Sequence, residues 1–177
     1  MSLALRTVAP RKRLSFAAVN RRGTREYRPD MQRHHLLPKQ LMNHSSLGRF
    51  IVAVDPASFG FEDFRRNGLL LPCEEETASR LSLPLNRGPH PEYNEMVSAK
   101  VGVIEVDWSV ARYRRPKLAK TQARLRLALL QRDLRESLLA SATAAPKLNR
   151  HCKLGAGIDF TQLDAMAQQL WDRSGEP

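Results

Sequence analysis

The stretch that decides the fold is Arg87-Gly88-Pro89-His90-Pro91-Glu92-Tyr93-Asn94. Its glycine and two prolines make a stiff turn, and Pro91 suits a first helical turn, where its missing N–H costs nothing. Glu95 through Lys100 continues in helix formers, with acids early and a lysine late, as the helix dipole favours. His90 and Asn94 are four apart, so a helix places them on one face, one turn apart. An imidazole nitrogen and an amide oxygen so placed can share one cation. Taken alone, the pair reads better as a capping histidine and an exposed asparagine.

Two upstream blocks change that weighting. Arg33-His34-His35-Leu36-Leu37-Pro38 carries adjacent histidines before a short apolar run. On a strand, neighbours face opposite ways, so one imidazole can bind metal while the other approaches a phosphate from a different direction. Arg66-Asn67-Gly68-Leu69-Leu70-Leu71-Pro72 combines a turn signal with a short buried run that Pro72 ends. An asparagine in such a turn can hydrogen-bond backbone across a loop and hold it rigid. Between the blocks, Ile51-Val52-Ala53-Val54 reads as a short strand or a helix end.

In this order, His-His, then Asn before an apolar run, then a helix opening with His-x-x-x-Asn, the chain resembles the AHH nuclease family of the HNH (ββα-metal) superfamily over about residues 31–105. Two positions depart from that family. Arg33 stands where it has its name-giving alanine, and Asn86 where it often has a histidine. The resemblance implies an α+β fold, a hairpin followed by a helix gripping one divalent cation, with further helices around it. His35 would be the general base, and Asn67 would orient the loop carrying it. His34, His90 and Asn94 would be the metal ligands. Such a donor set does not choose between magnesium, manganese, zinc and nickel. The implied activity is endonucleolytic cleavage of DNA, with RNA as a close variant. It further implies a toxin module used between bacteria, delivered into a target cell and held in check by an immunity protein.

The charge fits such a partner. Lys and Arg number 29 against 18 Asp and Glu, a net +11 that attracts polyanions at long range. It would equally suit an acidic inhibitor. Arg33, Asn86 and Arg87 lie beside the motif residues and are expected nucleic-acid contacts. Arg112, Arg114, Arg115 and Lys117, interleaved with Trp108 and Tyr113, are expected to grip the phosphate backbone. The alternative is that Trp108 anchors the core while the arginines solvate the surface.

Three zones follow. Residues 1–30 are basic, lack a hydrophobic period and read as a mobile arm, either a phosphate clamp or a solvated tail. Residues 31–106 hold the core and every site candidate. Residues 107–177 are mostly helical and should pack on the core. Leu127, Leu130, Leu134 and Leu138 stripe one helix over Lys117 to Ala140, a loop follows from Ala142 to Gly157, and a capping box at Asp159 opens a last helix through Trp171. Cys73 and Cys152 are in no metal-ligand spacing and read as free thiols. No signal peptide or membrane span is legible, so the expectation is synthesis in the cytoplasm with no membrane partner.

Two competing readings differ in class. One is a non-catalytic nucleic-acid-binding protein with a structural metal, disfavoured because structural zinc sites are usually rich in cysteine. The other is an interaction protein using the leucine-striped helix, which a core helix would also resemble. The oligomeric state is not legible.

Overall fold

The structure, a computed structural model, describes residues 12–140. The expected last helix at 159–171, the loop before it, His151, Cys152 and residues 1–11 of the basic arm lie outside the described residues. Within them the fold is α+β, a two-stranded antiparallel sheet with five α-helices.

Strand β1, Met31–His35, pairs with β2, Gly68–Pro72, in the register His34↔Leu69 and His35↔Gly68. The expected hairpin is therefore present, but residues 36–67 intervene instead of a tight turn. That excursion makes a 3-10 turn, Lys39–Asn43, then α1, Ser45–Val54, then the single-turn α2, Phe64–Asn67. Ile51-Val52-Ala53-Val54 thus ends a helix rather than forming a strand. Asn67-Gly68, read as a turn, is instead a helix-to-strand junction. Asp63 caps α2 by accepting from the Arg65 N–H at 3.1 Å. A Cβ at Gly68 would collide with the Phe64 ring, so only glycine lets β2 begin directly behind that helix.

After β2 come α3, Glu75–Leu81, and then the long α4, Pro91–Ala111, and α5, Pro116–Leu139. Pro91 occupies the first turn of α4, as its fixed φ allows. α4 buries Tyr93, Val97, Val101 and Ile104 at helical spacing, and α5 packs along it with Leu127, Leu130, Leu134 and Leu138. Both helices close on Leu36, Leu37, Phe50 and Ile51, making one continuous core beneath the sheet. No helix among the described residues is long and apolar enough to cross a membrane.

The stretch 12–30 is tied to this core. Phe16 is buried, the Phe64 N–H donates to the Leu14 carbonyl at 2.8 Å, and Arg65 donates to the Lys12 carbonyl at 2.8 Å. Its basic composition conceals these anchors, because one aromatic and a few backbone bonds leave no periodic signal.

Candidate active site

β1 sends its two histidines to opposite faces, as strand geometry requires. His34 is buried toward α4. Its ring stands edge-on to Tyr93 with centroids 4.9 Å apart and lies 5.5 Å from the His90 ring. His90 is the N-cap residue of α4, but its side chain makes no capping bond. Instead its Nε2 lies 2.6 Å from Asn86 Oδ1, and the same oxygen lies 3.3 Å from His34 Nδ1.

The segment that supplies Asn86 is locked to the sheet. Its N–H donates to the Pro72 carbonyl at 2.7 Å, continuing the edge of β2. Gly88, at φ +78°, then turns the chain so that His90 folds back over Asn86. Two imidazoles and one amide oxygen therefore meet in a buried place held by three separate elements.

Those donors suit a divalent cation. The nitrogens that face the Asn86 oxygen are His34 Nδ1 and His90 Nε2, while the other His34 nitrogen, Nε2, is buried without a hydrogen-bond partner among the described residues and is free to bind a metal. Burial, then the neighbouring His90, lowers the His34 pKa to about 3, while the Asn86 contact opposes the shift. The ring is thus neutral, the form that binds metal. No group of three or more His, Cys, Asp or Glu gathers among the described residues, because the third donor here is an amide.

Asn94 sits one turn farther along α4. Its Nδ2 donates to Gln40 Oε1 at 3.1 Å, which ties α4 to the 3-10 turn rather than to His34. The structure thus gathers His34, His90 and Asn86, with Asn94 beside them in another contact.

His35, on the opposite face, lies under the ring of Phe16, with centroids 3.7 Å apart and planes 3° from parallel. Its Nε2 is buried and has no partner among the described residues. Burial first, then Lys39 and Arg33, pull its pKa down to about 4, with Glu62 opposing.

Asn67 is fully buried, and both ends of its side chain bond to backbone. Oδ1 accepts from the Leu37 N–H at 2.8 Å, while Nδ2 donates to the carbonyls of Leu37 at 3.1 Å and Phe61 at 2.8 Å. It thereby clamps the chain just after His35. Three contributors to this clamp are not legible in the sequence as site residues. Gln131 of α5 donates to Asn67 Oδ1 at 3.1 Å, Tyr93 donates to the Leu36 carbonyl at 2.7 Å, and Arg135 donates to the carbonyls of Arg65, Arg66 and Gly68. For Gln131 a signal exists, since it is a polar residue set on the stripe of buried leucines.

The other expected contacts divide. Arg33 is exposed beside His35, with Nη1 donating to the Phe16 carbonyl at 2.7 Å. Arg87 is engaged by the Cys73 carbonyl and Glu75. Arg112, Arg114, Arg115 and Lys117 lie beyond the far end of α4, whose 21 residues separate them from His90. At 1.5 Å per residue that is about 30 Å. Arg112 stacks over both Trp108 and Tyr113, and Trp108 packs on Phe50 in the core. His44, for which the sequence alone sets no role, is the N-cap residue of α1 and faces Ser46 on the surface.

A family model described as AHH, a nuclease family of the HNH/ENDO VII superfamily with conserved AHH, matches residues 15–134. The matched span takes in Phe16 at one end and Gln131 at the other. No curated protein and no solved structure matches the chain.

Proposed function

The chain belongs to the AHH nuclease family of the HNH/ENDO VII superfamily, and from that premise we propose that it hydrolyses phosphodiester bonds in DNA with one divalent cation and a histidine base. The observation that carries this reading is the meeting of His34, Asn86 and His90 behind β1, with His35 on the other face of the same strand.

His34, His90 and Asn86 would hold the cation, Asn86 standing in for the Asn94 that the family resemblance implies. When bound, the cation supplies charge neutralisation at the phosphate and at the leaving oxygen. His35 ends β1, so a phosphate at the strand terminus can be approached by both histidines. The neutral His35 imidazole accepts the proton of the attacking water. A base with so low a pKa is weak, but an arriving phosphate favours the imidazolium and raises its proton affinity where the proton is needed. Asn67, Gln131 and Tyr93 keep the chain after His35 from moving as that proton arrives.

Restraint by an acidic immunity protein is a finer part of the proposal, supported by the net charge of +11, and delivery into a target cell is another, resting on the family resemblance alone. Plasmid cleavage with and without chelator, by the wild type and His35→Ala, tests the core of it. Cleavage that needs added cation and His35 is expected. Cleavage indifferent to both would refute the assignment, and a parallel RNA substrate decides between the two nucleic acids.

A further inference from the structure

Beside the base lies a groove of about 550 Å³ between the 17–29 segment and β1, lined by Asn20, Arg21, Arg22, Tyr27, Gln32 and Arg33. Its shape is built in. Asn20, at φ +47°, closes the loop. Its Nδ2 donates to the carbonyls of Arg28 and Met31, each at 2.8 Å, and its Oδ1 accepts from the Arg28 N–H at 2.7 Å. Arg22 Nε donates to the Tyr27 hydroxyl at 3.1 Å, so guanidinium and phenol stand together along the groove.

The charge in this groove is not compensated. At the end of the same segment Arg28 shares Asp30 with Arg80, and several arginines elsewhere are paired as well: Arg87 with Glu75, Arg124 with Asp55, Arg126 with Asp107, and Arg132 with Asp133 and Glu136. Arg21, Arg22 and Arg33 make no ion pair with a carboxylate among the described residues. A second cavity, of about 660 Å³, also carries arginines, but Glu62 and Asp63 line it with them. Three guanidinium groups without a carboxylate partner in one depression create a positive potential that favours an anion.

The groove ends on the strand that carries the base. Arg33 and His35 are two residues apart on one face of β1, about 7 Å along the strand. Phe16 touches both, its carbonyl accepting from Arg33 and its ring stacking on His35. Guanidinium groups spread over both walls suit a run of phosphates better than a single one.

We propose that this groove is the track for the phosphate backbone of a DNA duplex, next to the bond that is cut. The proposal rests on the nuclease reading and adds to it a binding site on the segment before β1.

The test is the salt dependence of binding to a short labelled DNA duplex, measured by anisotropy in a His35→Ala background that binds without cutting. Removing one phosphate-neutralising charge lowers the log–log salt slope by about 0.9 on duplex DNA, so adding Arg21→Gln and Arg22→Gln should lower it by about 1.8. Arg21→Lys with Arg22→Lys should keep the slope, since a charge suffices for counterion release. A slope unchanged by the glutamine pair, or lowered equally by the lysine pair, overturns the groove. So does a His35→Ala protein that fails to bind duplex at all. A wild type that binds with an arginine-dependent slope but never cuts would remove the nuclease reading and leave the groove standing. Thermal unfolding of each variant confirms that a changed slope is not a misfolded protein.

Discussion

The ring of Phe16 lies flat on the imidazole of His35, 3.7 Å away and within 3° of parallel. A face-on contact fixes the plane of the imidazole without covering its ring edge, although Nε2 is itself buried and must be uncovered before it can exchange a proton. Phe16 is itself held, edge-on to Phe64 at 5.1 Å and through its carbonyl to Arg33. The segment before β1 thus packs directly on a candidate site residue.

Replacing Phe16 should therefore act on turnover more than on binding. A base displaced by about 1 Å can lose about 100-fold in rate. Phe16→Ala is expected to lower kcat by about that much with KM little changed, whereas Phe16→Tyr keeps a flat ring and should retain most activity. Equal losses in both variants, or a loss confined to KM, would show that the stack does not orient His35.

How much of this is legible in the sequence depends on how local each signal is. His34, His35, Asn67 and His90 stand out because motif residues lie in short contiguous blocks, and α5 because its leucines repeat at helical spacing. Phe16 is hidden by the arginines around it. Asn86 stands out only as a departure from the family's pattern, because nothing in a linear reading shows Gly88 folding His90 back over it. Arg112 to Lys117 look close to the site because they follow it in sequence. That closeness fails because α4 runs 21 residues without a break and carries them about 30 Å from His90 along its axis.

The two strand histidines make stability depend on acid. In the folded protein His34 titrates at about 3 against an ordinary 6.5, because burial penalises its charged form. Between those values the unfolded chain takes up a proton that the folded chain refuses, so unfolding becomes easier as pH falls. His34's contribution is fully present above about 6.5 and is lost progressively as pH drops toward about 3. His35, lowered to about 4, adds a smaller effect because it is only half-buried. In chelated protein, urea midpoints should fall from neutral pH to pH 4, and His34→Gln should flatten the decline. A midpoint independent of pH in the wild type would contradict the buried neutral pair.

Asn67 and Gln131 should separate stability from catalysis. Asn67→Ala strands the buried Leu37 N–H and the Leu37 and Phe61 carbonyls, and each such orphan costs about 1–3 kcal/mol. It should lower Tm and activity together. Gln131→Met keeps the volume and leaves the Leu37 bond to Asn67 intact, losing one hydrogen bond worth about 1 kcal/mol. Its Tm should fall modestly while kcat falls more, since the clamp after His35 loosens without breaking. A Gln131→Met enzyme of normal kcat would confine Gln131 to packing.

The choice between Asn86 and Asn94 is open to a direct measurement. Asn86 Oδ1 faces both imidazoles, at 2.6 and 3.3 Å, whereas the amide of Asn94 is bonded to Gln40. Whether the Asn86 oxygen binds the cation or orients the imidazoles that do, removing it should weaken cation affinity by about 10- to 100-fold. Calorimetric titration of manganese into Asn86→Ala reads this without any turnover. Asn86→Asp places a charged oxygen in the same position and should tighten binding of hard cations. Asn86→His puts an imidazole where the family often has one and should favour zinc over magnesium for the same reason of ligand softness. Asn94→Ala should leave manganese affinity near wild type and loosen only the contact between α4 and the 3-10 turn. If Asn94→Ala instead abolished cation binding while Asn86→Ala did not, the ligand set would be His34, His90 and Asn94, and the contact between Asn86 and the histidines would be structural.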